Sequence, residues 1–143
     1  MAAKIYMINL SNKMETNNRN MVHKTRTGKV WWGNNRVLYV EINDGAEETL
    51  NDAWENVALG TKVTCGLEYG LLIDARKLKS ITKEARNYYS SNKESSNICV
   101  AIIVGNYYSR IIANFFLTFN KPPRPLKLFT CIDEADIWIT SKL

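Results

Sequence analysis

The sequence holds a single histidine, His23, and that scarcity removes the Ser-His-Asp triad and the histidine metal cluster as readings. Its three cysteines, Cys65, Cys99 and Cys131, are odd in number, widely spaced and outside any CxxC pair. This excludes a disulfide framework and a zinc site, and it points to a reducing compartment. No GxxxxGK[ST] loop and no GxGxxG turn occurs, so the two commonest phosphate-cradling motifs are missing. The longest unbroken apolar run, residues 98–104, is far shorter than the roughly 20 residues a membrane helix needs. With no hydrophobic signal core at the N-terminus, the expected location is the cytoplasm.

What is present is an ordinary globular composition. The 143 residues, 45% apolar and 23% charged, predict one folded domain, not a repeat array, a disordered chain or a membrane bundle. The net charge of +5 is unevenly divided: +5 over residues 1–43, −5 over 44–68 and +5 over 69–143. The acidic block, with Asp44, Glu47, Glu48, Asp52 and Glu55, reads as the solvent side of one helix. The basic surplus could attract phosphates or anionic lipid. No stripe of Arg and Lys alternates with stacking aromatics, so nucleic acid is not an expected partner.

Along the chain, residues 1–22 read as a short strand and a flexible arm, and residues 23–143 as the single domain. Residues 24–32 and 36–42 favour strands, with Gly33-Asn34-Asn35 supplying the turn of a hairpin. Trp31 and Trp32 are neighbours on the first of these and must face opposite ways. Ala46, Leu50, Ala53, Trp54 and Val57 then recur at helical spacing, with Asp44 and Glu47 as the capping box and Gly60 as the stop. Residues 70–74 and 98–104 read as buried strands, and 126–129 as a last short one. A second helix carries Ile81, Ala85, Tyr88 and Tyr89, with Ser80 and Thr82 as caps. A third starts at Asn106 and presents Tyr108, Ile111, Ile112, Phe115, Phe116 and Phe119. Thr130 and Asp133 read as the capping box of a fourth. The expected fold is α/β: a mixed, largely parallel five-stranded sheet with an N-terminal antiparallel hairpin and about four helices.

Three strings, LLIDARKLKSITKEAR (71–86), GNYYSRIIANFF (105–116) and NKPPRPLKLFTCIDEADIW (120–138), give the chain a resemblance to uncharacterised bacterial proteins of STAS-like, SpoIIAA-like fold. The resemblance spans residues 24–143. In STAS domains of the anti-sigma-factor-antagonist kind, a Ser at the start of the helix after an Asp-ended strand is phosphorylated, and this breaks partner binding. The resemblance therefore implies a switch at residues 79–84, where Ser80 and Thr82 are the hydroxyls; the Asp-Ser-Ser/Thr-Gly string of that helix start is absent here.

Parallel strands deliver their carboxyl ends, and the helix starts that follow, to one edge of the sheet. Asp74, Ser80, Thr82, Asn106, Ser109 and Arg110 are therefore expected to share a rim that binds a protein partner or a small anionic or lipid-like ligand. Each has a plainer role open to it. Asp74 could pair with Arg76 or Arg86, Ser80 and Thr82 could only cap, and Arg110 could hold a carboxylate. No cofactor, no metal and no catalysis are expected. The rival readings are the phosphorylation switch, a small enzyme using Asp74 and Arg110, and self-association through the apolar surface of the third helix.

Overall fold

The computed structural model describes residues 21–92, 95–105 and 123–143. Its elements in chain order are β1 (His23–Lys24), β2 (Gly28–Trp32), β3 (Val37–Ile42), β4 (Ala46–Glu48), α1 (Leu50–Val63), β5 (Tyr69–Asp74), β6 (Leu78–Ile81), α2 (Lys83–Ser91), β7 (Asn97–Ile103), β8 (Leu126–Phe129) and α3 (Ile132–Lys142). The main sheet has the order β1-β2-β3-β5-β7-β8. It is antiparallel from β1 to β3 and parallel from β3 to β8. The α/β class, the opening hairpin and the parallel remainder are as the sequence predicts.

The details differ in physically instructive ways. The sheet has six strands among the described residues, because the run 24–32 is broken into a tight hairpin: Thr25 N donates to Gly28 O at 2.9 Å, and His23 and Lys24 pair back onto Val30 and Lys29. A second, two-stranded parallel sheet joins β4 to β6. Residues 46–48 are therefore strand, and the first helix begins at Leu50 with Thr49 as its N-cap. Asp52, not Glu47, closes the capping box, accepting from Thr49 N and Thr49 Oγ1, both at 2.8 Å. Gly60 does not end α1; it lies within the helix, where a Cβ would meet Leu38 and Tyr69 at ordinary contact distance. The last helix is capped at Cys131, with no side-chain hydrogen bond from the predicted Thr130 box. Three helices are described; the third predicted helix and residues 1–20 lie outside the described residues.

Period-2 alternation assigns the two faces of the sheet. Val37, Leu72, Cys99, Ala101, Ile103 and Phe129 point to the face covered by α3, where Ala135 and Ile139 meet them. Val30, Trp32 and Leu38 point to the opposite face, packing with Val63 of α1. Of the two adjacent tryptophans, Trp32 enters this second core against Tyr69, while Trp31 stacks on Tyr39 with ring centroids 5.5 Å apart. Each large side chain fully buried in these layers contributes about 1.5–3 kcal/mol.

α3 sits so close to β5 that a Cβ placed on Gly70 would lie 2.5 Å from Ile139 Cγ2 and 3.4 Å from Cys99 Sγ. Gly70→Ala is expected to destabilise the fold by about 1–3 kcal/mol in urea unfolding, the usual cost of overpacking. An unchanged midpoint would show that α3 can lift without cost.

Candidate functional site

Among the described residues, the strands on the face opposite α3 do not meet a fully closed layer. Val40, Leu71, Ile73, Val100, Ile102 and Leu126 form the floor of a cavity of about 170 Å³. Val57 of α1, with Leu78 and Ile81 of β6, contributes apolar wall. The polar groups on the wall are Glu48 at the end of β4, Asn56 within α1, Tyr89 on α2, and Asn92, Ser95, Asn97 and Arg124. A mostly apolar concavity with a few placed polar groups has the composition of a small-molecule site.

Glu48 is the least expected of these. It is 4% exposed, although the sequence pattern puts it on a solvent-facing helix surface. The pairing of β4 with β6 turns it inward, and Thr82 N donates to its carbonyl at 3.0 Å. Asn56 Nδ2 donates to Glu48 Oε1 at 2.6 Å, and Thr27 Oγ1 donates to the same oxygen at 3.3 Å. Asn56 also donates to the Tyr89 hydroxyl at 3.2 Å, linking α1 to α2. Burial raises the Glu48 carboxyl above its ordinary value; hydrogen bonds from Tyr89, Thr27 and Asn56 pull it back, and the Asp52 charge adds to the rise. Burial raises the Tyr89 phenol as well, helped by the charge of Glu48. Perturbed titratable groups lining a cavity are candidates for function.

Asp52, beside this network, is shifted the other way. Arg26 donates from Nε to Asp52 Oδ1 at 2.7 Å and from Nη2 to Oδ2 at 2.5 Å, holding the carboxyl well below its ordinary range against the opposing effect of burial. Its share of the stability is present above the ordinary value of 3.8 and is lost as the pH falls below it. Arg26 also donates to Glu47 O, so the guanidinium is committed to the turn into α1.

The predicted rim is placed as follows. Asp74 ends β5, in register with Glu41 and Ile103. It accepts from Arg76 Nη2 at 2.6 Å and Nε at 2.9 Å, and that bidentate pair lowers its carboxyl. Arg86, the other partner considered for it, donates to Ile81 O. Thr82 caps α2, its Oγ1 accepting from Ala85 N at 3.2 Å. Ser80 is not at the helix start: it lies in β6 opposite Glu47, because the second sheet extends to Ile81. No hydrogen bond or ion pair joins Asp74 to Ser80 or Thr82 among the described residues. Asn106, Ser109 and Arg110 lie outside the described residues, and so does the apolar surface proposed for self-association. Among the described residues no metal-ligating cluster occurs, and no helix is long and apolar enough to cross a membrane.

The sequence reading missed Glu48, Asn56 and Tyr89. The local signal that could have found Glu48 is the T-x-x-D string at Thr49 to Asp52, which moves the helix start past it. Glu48→Gln, which keeps an acceptor for Thr27 and Asn56 but removes the charge, tests the burial directly. A raised carboxyl costs the fold nothing while protonated and becomes a penalty as the pH rises through its folded value. The variant is therefore expected to have a higher urea midpoint than the parent at pH 7, with the gain shrinking at pH 4. Equal midpoints at both would mean the carboxylate is not desolvated.

A family model described as "Domain of unknown function (DUF7793)" matches residues 31–142. Two chains of known structure match. One is an uncharacterised protein of the DUF3478 family with a SpoIIAA-like fold from Shewanella loihica PV-4, 20% identical, covering 83% of this chain and 90% of its own, with a TM-score of 0.49. No curated protein matches.

Proposed function

The chain belongs to the DUF7793 family, and we propose that it is a non-catalytic binding module that takes a small, largely apolar, lipid-like molecule between its sheet and the α1–α2 layer. One observation carries the reading: the cavity of about 170 Å³ has a continuous hydrocarbon floor, and its polar groups belong to the surrounding wall. Such a wall rewards hydrocarbon at about 25 cal/mol per Å² removed from water, while the polar groups set orientation.

The rival enzymatic reading asked Asp74 to act with Arg110. Both oxygens of Asp74 are engaged by Arg76, so the group is committed to a local ion pair before any substrate arrives. The switch reading relies on Ser80 and Thr82. Thr82 already serves the α2 cap, and modification there would take its Oγ1 from Ala85. Neither rival draws on the cavity.

A neutral fluorescent apolar probe, N-phenyl-1-naphthylamine, is expected to bind the full chain saturably at one site. Val100→Trp, which puts an indole over the cavity floor, should weaken that binding at least about ten-fold, a change of about 1.4 kcal/mol, while thermal unfolding stays cooperative. Unsaturable binding, or an affinity untouched by Val100→Trp, would overturn the reading.

A further inference from the structure

We propose that the molecule bound in this cavity carries a protonated amine on its apolar body, and that Glu48 is the residue that pairs with it. This rests on the cavity being the binding site and adds the chemistry of the head group. The Glu48 carboxyl is faced by groups from each element around it. Thr27, ahead of β2, and Asn56, on α1, both donate to Oε1, so neither occupies Oε2. The Tyr89 hydroxyl, on α2, joins the same network by accepting from Asn56 Nδ2 at 3.2 Å. All three partners are neutral. The nearby charges are Asp52 on α1 and Arg26, and Arg26 spends its Nε and Nη2 on Asp52 and Glu47 O. Lys79 of β6 pairs with Glu47 at 3.1 Å. One buried carboxylate is left without a cation against it among the described residues. Such a charge is costly unless a counter-charge or a proton supplies the balance.

A ligand ammonium provides that counter-charge and up to three donors. A second acceptor belongs to a lining residue: Asn97 gives its Nδ2 to Ser95 Oγ at 2.6 Å, and its buried Oδ1 has no hydrogen-bond partner. An acidic head group fits less well. It would meet Glu48 as a like charge and would depend on Arg124, whose guanidinium is held by Ser95 O at 2.7 Å and Asn92 O at 3.4 Å, beyond the C-terminal end of α2. A neutral alcohol brings a donor but no charge.

The test is calorimetric titration of the full chain at pH 7.5 with three molecules sharing one eight-carbon chain: octylamine, 1-octanol and octanoate. Octylamine is expected to bind at least about ten-fold more tightly than 1-octanol, in keeping with a charged hydrogen bond, and octanoate most weakly. Glu48→Gln should erase the preference for the amine over 1-octanol. In the unaltered protein, lowering the pH should weaken octylamine and spare 1-octanol, because protonation removes the charge of Glu48 while the amine remains charged. Equal binding of amine and alcohol, a preference for octanoate, or an amine preference that survives both Glu48→Gln and acid would overturn the proposal while leaving the cavity reading intact. Failure of all three molecules to bind would overturn both.

Discussion

Small side chains on one face of the central strands govern how the two faces of the sheet are covered. Gly70, Cys99 and Ala101 are all on the side of α3, and they let that helix settle until Ile139 Cγ2 occupies the space a Cβ on Gly70 would need. The opposite face carries Leu71 and Ile73 of β5 alongside Val100 and Ile102 of β7, directly opposed in register. Four branched side chains in a block hold the layer above them away from the backbone. Among the described residues α1 packs against β2 and α2 packs against α1, and the cavity lies over β5 and β7. The cavity follows from this unequal division of side-chain volume, and so does its position next to the ends of β4 and α2.

Glu48 reaches that space through a chain of local causes. Gly45, with φ of 71°, lets the backbone turn after β3 in the left-handed region that other residues avoid. The three residues that follow pair with β6, and Thr49 with Asp52 then starts α1. Between the turn and the cap, the alternation of a strand decides which side chains point in. Ala46 and Glu48 share one side and Glu47 takes the other, where Lys79 meets it in solvent. The two neighbouring glutamates thus have opposite fates because they lie on a strand. On a helix they would have shared a surface.

That difference also explains what could be read from sequence. The strands β3, β5, β7 and β8 were legible because their apolar periods are strong and their ends carry turn residues. The cap of α2 was legible because Thr82 acts within three residues of itself. The start of α1 was not, since five acidic residues between 44 and 55 have the spacing of an exposed helical face when counted as charges. Two of the five, Glu48 and Asp52, are buried. Their partners Arg26, Thr27 and Tyr89 are brought to them by the fold, from 21 to 41 positions away in the case of Glu48 and 26 for Asp52. A hydrogen-bond partner at that distance leaves no local pattern. Asp74 was legible for the opposite reason: its partner Arg76 is two residues away.

The Glu48 network is also a mechanical connection. Asn56 belongs to α1 and Tyr89 to α2, while Thr27 stands at the edge of the main sheet. An apolar residue at position 48 would strand the Asn56 amide and leave buried donors unpaired. Strengthening the charge at Glu48 strengthens its hydrogen bonds to Asn56 and Thr27, and these fix the spacing of α1 from the sheet. The wall of the cavity and the contact between α1, α2 and the sheet edge are therefore joined through one side chain.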